Sequence, residues 1–286
     1  MTCTLLCGTV KLNFYETVAL FNAINSTKLP QQIAPKKMAV NMSYELRKTT
    51  VAPTLVHHAK SDFQDIEIYE HPDYGHQLVI DGDLQISTSD LAYQVSMSAP
   101  LIGQLPEQAQ VAILGGGDGG VLNQLLQHHD LGHIDLAKAI MIDIDASVID
   151  LCQKHLPVLN DKIATHPRGE IIVGDAFGFL AEQEKCLDAV IYDLTMTPVN
   201  ANLSQETFTE QTISQIAKSL KPSGVLSMQV CGLQENDPAL AKQAALLQQL
   251  VPRCCEEYFE QAQTQAVIIP SFEMPWLFQS ALYPKH

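Results

Sequence analysis

Residues 111–127, VAILGGGDGGVLNQLLQ, decide the fold. Four apolar residues run straight into Gly115, Gly116 and Gly117, then Asp118, then Gly119 and Gly120. Val121, Leu122, Leu125 and Leu126 follow at helical spacing. A buried strand, a glycine turn and an amphipathic helix are the opening unit of an open α/β sheet. Glycine at such a turn lets the backbone approach a ligand closely. The acid inside the cluster is the feature that needs explaining.

The alternation continues downstream. AIMIDID (139–145), EIIVGDA (170–176), DAVIYDL (188–194) and GVLSMQV (224–230) read as further buried strands, with helix patterns at 146–156, 177–182, 205–220 and 236–250 between and after them. TQAVIIP and WLFQSALY close the series as a pair of strands, expected to form an antiparallel edge. Upstream, DIEIYEHPDYGHQLVIDGDLQIS (65–87) alternates apolar residues on either side of a Pro-Asp-Tyr-Gly turn and predicts a β-hairpin. SDLAYQVSM, with Ser89 as its N-cap, predicts the helix that bridges the two parts. YETVALFNAIN is helix-like and PQQIAPKKM loop-like, but no motif stands in residues 1–45.

Composition narrows the ligand. The 17 Lys and Arg against 32 Asp and Glu give a net charge of -15, which repels nucleic acid and suits a cationic small molecule. The seven cysteines (3, 7, 152, 186, 231, 254, 255) form no Cys-x-x-Cys pair and read as reduced thiols, so a cytoplasmic setting is expected. No apolar run has the length of a membrane span.

Ligands of open α/β sheets bind beyond the carboxyl ends of the strands, so residues at those ends converge on one cleft. Here they are acids: Asp118 after the first strand, Asp143 and Asp145 at the second, Asp175 after the third and Asp193 at the fourth. Asp143, 25 residues beyond Asp118, suits a ribose diol, whose two hydroxyls a carboxylate can accept. A dinucleotide would bring pyrophosphate to the glycine loop, where Asp118 repels it. A sulfonium nucleoside, S-adenosylmethionine or its decarboxylated form, brings a ribose and a positive centre instead.

At this point the chain resembles the polyamine aminopropyltransferases, the spermidine and spermine synthases. The resemblance covers about residues 50–283 and rests on FQDIEI, LVIDGDLQISTSDLAYQ, ILGGGDGGVL, MIDIDASVID, VGDAFGFL, VIYDLTMTP, SMQVCG and IPSFEMPWLF, with SDLAY and DLT-x-x-P closest to the spermine branch. It implies a Rossmann-like, methyltransferase-type doubly wound sheet with a small amino-terminal β-rich domain. The expected organisation is an unassigned extension over 1–45, a β-strand domain over 46–88 and a catalytic domain over 89–286. The implied reaction moves an aminopropyl group from decarboxylated S-adenosylmethionine, a co-substrate, to spermidine or putrescine and releases methylthioadenosine. A homodimer without metal or tightly bound cofactor is expected.

By the same resemblance Asp193 is the proton acceptor, assisted by Tyr93. Asp118 meets the donor's ammonium, Asp143 the ribose, Asp175 with Ala176 the adenine and Gln64 the nucleoside tail, and Gly115 and Gly117 belong to the donor loop. Asp90 and Gln94 would face the acceptor amine. The chain also departs from the family. Met196 replaces the second aspartate of spermidine synthases, Asp143 stands where glutamate is usual, and Glu273 sits one residue before the acid of the spermine branch. Met196 therefore favours a longer acceptor whose distal charge passes it, with Glu273 or Asp90 as candidate partners.

A methyltransferase uses the same sheet and ribose acid but must accommodate a donor carboxylate beside Asp118, and a catalytically silent polyamine or nucleoside binder has no need of Asp193 with Tyr93. His128 with His129, and His57 with His58, read as solvated surface rather than metal ligands, Cys254 and Cys255 as ordinary thiols, and Trp276 as core.

Overall fold

The computed structural model describes residues 2–5, 8–11, 51–195, 203–233 and 237–284. Met1–Leu46 and Arg47–His286 form two compact units. In the first, β1 (Thr2–Leu5) and β2 (Gly8–Lys11) pair antiparallel, with Thr2 opposite Lys11, a hairpin absent from the sequence reading. The helix-like and loop-like stretches expected after it lie outside the described residues.

The second unit opens with an antiparallel four-stranded sheet in the order β3 (Thr54–Lys60), β4 (Asp65–His71), β5 (Gly75–Ile80), β6 (Asp83–Ser87). The β4–β5 hairpin turns as expected, His71 opposite Gly75. Period-two alternation buries Ile66, Ile68, Leu78 and Ile86 on one face. That face joins the same apolar cluster as α1 (Leu91–Ser98) and α2 (Gly120–Asp130), so the small sheet closes over one end of the large one.

The large sheet has seven strands in the order β12-β13-β11-β10-β7-β8-β9. These are β7 (Ala109–Gly115), β8 (Leu136–Asp143), β9 (Gly169–Val173), β10 (Leu187–Asp193), β11 (Leu220–Gly232), β12 (Glu260–Ile269) and β13 (Met274–Leu282). The five from β9 to β11 are parallel, and β13 runs antiparallel between β11 and β12, so of the closing pair only β12 is an edge. Central strands are apolar throughout because both faces are covered: Val111 and Ile113 face the cluster with α1, α2 and α3 (Ala146–His155), while Ala112 and Leu114 face α5 (Gln205–Ser219) and α6 (Pro238–Tyr258). The sheet winds outward in opposite directions from β7 and β10, whose carboxyl ends bound the switch-point crevice. No helix of the described residues is long and apolar enough to cross a membrane.

Two readings are corrected. Helix α1 is preceded by Asp90 rather than capped by Ser89, and the Asp90 carboxylate turns away from the helix. His128 is not solvated: it is fully buried between α1 and α2, within hydrogen-bonding reach of Ser98, Gln124 and His133. Burial, then the neighbouring His133, lowers it to about 4, so the imidazole is neutral.

Candidate active site

The glycine loop is where the acids meet. Gly116 has φ +76° and donates its amide to the Asp193 carbonyl at 3.1 Å, tying the end of β7 to the end of β10. A Cβ at Gly116 would lie 2.9 Å from Asp193 Oδ2, one at Gly117 2.8 Å from Asp143 Oδ2, and one at Gly120 2.8 Å from Asp118 Oδ1. The absent side chains therefore make room for three carboxylates. The loop also holds two of them: Gly117 N donates to Asp143 Oδ2 at 2.9 Å and Gly120 N to Asp118 Oδ1 at 2.8 Å. Asn160 Nδ2 fixes the Asp118 carbonyl at 2.8 Å.

These residues border a cavity of about 200 Å³ between the two sheets. Among the described residues its lining holds four acids, Asp83, Asp118, Asp143 and Asp193, and no Lys, Arg or His. Such a cavity is built for a cation. Burial first, then the Asp193 charge, pushes Asp118 up to about 8, and burial pushes Asp193 up to about 6 against the lowering effect of its bond from Tyr93. Asp143 is raised as well, mainly by burial.

Tyr93 donates its hydroxyl to Asp193 Oδ1 at 2.6 Å. Burial and the Asp193 charge keep that phenol protonated. Asp193 Oδ2 is buried and makes no hydrogen bond among the described residues. The carboxylate is thus oriented through one oxygen and free at the other. Tyr93 is in turn wedged edge-on against Phe272 and Phe278, at ring-centroid distances of 6.2 and 5.4 Å.

Of the expected residues, Gln64, Gly117, Asp118, Asp143, Asp193 and Tyr93 line this one cavity. Gly115 stands opposite Asp193 in the β7–β10 register. Gln94 is buried behind the loop, its Nε2 2.9 Å from where a Gly120 Cβ would be, and neither amide atom has a partner among the described residues. Others stand apart. Asp175 is exposed and caps α4 (Ala176–Ala181) through Phe177 N at 2.9 Å, with Ala176 buried beneath it. Asp90 is fully buried, taking Ser87 N at 2.7 Å, Ser271 N at 3.0 Å and the Ser271 hydroxyl. Glu273 accepts from the Tyr74 hydroxyl at 3.1 Å, and Met196 lies outside the described residues.

The structure gives further residues a place in the site to which the sequence reading assigns no such role. Asp145 caps α3 and takes Gln64 Nε2 at 3.0 Å, which sets Gln64 in the cavity wall. Trp276, expected in the core, lines the cavity beside Phe272 and donates its indole N–H to Gln229 Oε1 at 3.0 Å. Gln229 also donates to the Leu194 carbonyl and so braces the segment after Asp193.

Residues 89–284 match the family model described as the spermine/spermidine synthase domain, and residues 43–88 match the spermidine synthase tetramerisation domain. The chain belongs to the spermine/spermidine synthase family. Within it, the chain is 31% identical over 175 residues to a polyamine aminopropyltransferase of Synechococcus, a stretch covering 59% of this chain and 54% of the relative. It is 28% identical over 226 residues to one from Aeropyrum pernix, covering 78% and 68%. A spermidine synthase of Pisum sativum is 33% identical over 172 residues, covering 59% and 49%. The chain thus spans about half to two thirds of these relatives' length. Two solved spermidine synthases share the fold at 24% identity over 82% of this chain: one in complex with the transition state analogue AdoDATO (TM-score 0.68, 74% of that chain covered) and one from Thermotoga maritima (TM-score 0.65, 73% covered).

Proposed function

We propose that this cleft transfers an aminopropyl group from decarboxylated S-adenosylmethionine to a polyamine. One observation carries the reading: among the described residues every charged side chain lining the cavity is an acid, with Asp118 inside the glycine loop. S-adenosylmethionine would bring its own carboxylate against Asp118, whereas the decarboxylated donor brings an ammonium. The names of the relatives, polyamine aminopropyltransferase and spermidine synthase, and the analogue complex of a structural neighbour support the same chemistry.

In the reaction a neutral amine nitrogen attacks the propyl carbon attached to sulfur. The N–C bond forms, the C–S bond breaks with its electron pair going to sulfur, and neutral methylthioadenosine leaves. The nitrogen must shed a proton, because free primary amines are mostly protonated near neutrality. Asp193 Oδ2 is the acceptor: it is the free oxygen of a carboxylate held by Tyr93, and burial sets its affinity for a proton near neutral pH. Asp118 holds the donor's ammonium and Asp143 the ribose diol, with Gln64 along the nucleoside; Asp175 with Ala176, outside the cavity lining, is assigned to the adenine on the family resemblance. Holding nitrogen, carbon and sulfur in line contributes more than base strength, on the order of 7 kcal/mol in favourable cases.

The match of residues 43–88 to a tetramerisation domain supports an oligomer, with a tetramer rather than the expected homodimer as the first candidate; the mass in solution decides. The functional reading is tested by calorimetry with both donors. Decarboxylated S-adenosylmethionine binds more tightly than S-adenosylmethionine if the reading holds. Equal affinity, or preference for the carboxylated form, overturns it in favour of methyl transfer.

A further inference from the structure

Three of the four cavity acids have a task in the proposed transfer: Asp118 and Asp143 with the donor, Asp193 with the attacking nitrogen. The fourth does not. Asp83 begins β6 and reaches the same cavity from the four-stranded sheet, next to Leu84 and Gln85, while Asp193, Phe272 and Trp276 border it from the large sheet and the turn before β13. It is exposed on its outer flank, and its partial burial raises the carboxyl above the usual range. Gln85 Nε2 donates to the Asp83 carbonyl at 3.0 Å and to Oδ2 at 3.4 Å, which leaves Oδ1 open. Asp83 takes part in none of the ion pairs among the described residues.

The other acids considered for the acceptor are engaged elsewhere. Asp90 is closed off by Ser87 and Ser271, Glu273 is bound by Tyr74, and neither lines the cavity. A polyamine whose reacting nitrogen faces Asp193 has a second, charged nitrogen several methylenes away, and an ammonium without an anion is disfavoured wherever it is partly desolvated. The apolar side chains of Leu78, Ile80 and Trp276 offer the methylenes a surface in the same cavity.

We infer that Asp83 is the anchor for the distal ammonium of the acceptor, and that it makes the cleft select amines with a second cationic nitrogen over monoamines of the same length. The inference rests on the aminopropyl-transfer reading. Because Asp83 is exposed, the contact is screened by salt, unlike those of the buried Asp118 and Asp193.

The test compares the parent protein with Asp83→Asn, which keeps the shape and the Gln85 contact but removes the charge. Decarboxylated S-adenosylmethionine is the donor, and putrescine, spermidine and butylamine are the acceptors. The ratio of kcat/KM for putrescine or spermidine to that for butylamine should fall about fivefold in the variant, the size expected of a partly exposed ion pair. The loss should lie in KM rather than kcat, with donor affinity unchanged. Added salt should narrow the difference between the two proteins. An unchanged ratio, or an equal loss for all three amines, overturns the anchor while leaving the transfer reading intact. A parent protein that passes an aminopropyl group to none of the amines overturns both.

Discussion

At the scale of single residues, the account gives Asp193 and Asp118 different tasks, and they fail differently. Asn at 193 keeps the shape and the contact with Tyr93 but cannot take the amine's proton. Asp193→Asn should therefore lower kcat by about 100-fold or more while leaving donor affinity within about twofold. Steady-state kinetics beside calorimetry check this; a large loss of donor binding would make Asp193 a pocket residue instead. Asp118 is read through stability. Its carboxyl rises from 3.8 to about 8 in the folded protein, so the folded state holds the proton more tightly than the unfolded chain does. The stability this confers is complete below about 4 and is lost as the pH rises through about 8. Urea unfolding of the ligand-free protein across that window should show the parent losing stability relative to Asp118→Asn as pH rises. Parallel curves would contradict the assignment.

At the scale of elements, the turn from β7 to α2 carries most of the site, and its glycines are not equivalent. Gly119 has φ +83° and a Cβ there would fall 2.0 Å from Asn160 Oδ1, the side chain that fixes the Asp118 carbonyl. Gly132 has φ +72° but open space around it. Gly132→Ala should cost only the left-handed backbone strain, about 1 kcal/mol, and Gly119→Ala should cost more than that because Asn160 must also move. Equal shifts in urea midpoint would refute the packing argument. The sheet and its acid-tipped strands were legible in the sequence because buried parallel strands are continuous apolar runs and because topology alone brings their ends together. What side chains do across the gap between the sheets was not. Asp90 stands beside a helix start as a capping residue would, yet its carboxylate bonds Ser271, which is 181 residues away. His128 and His129 are adjacent in sequence but only the first faces the α1–α2 contact. Trp276 has the pattern of a packed strand residue, and only the position of Phe272 and Gln229 turns it toward the cavity.

At the scale of the whole molecule, the two sheets of the second unit share one apolar cluster, and the cleft lies where the smaller closes over the switch point of the larger. One side brings Asp118, Asp143 and Asp193 from the carboxyl ends of three strands, the other brings Asp83, and the described residues around the cavity include no basic one. The reading proposed for this chain rests first on that concentration of negative charge around a cavity of about 200 Å³. The most direct measurement is mass spectrometry of the products after incubation with decarboxylated S-adenosylmethionine and, in parallel, S-adenosylmethionine, each with spermidine and putrescine. The account predicts methylthioadenosine and an amine longer by one aminopropyl unit from the decarboxylated donor only. A methylated amine with S-adenosylhomocysteine, or no new product from either donor, would contradict it.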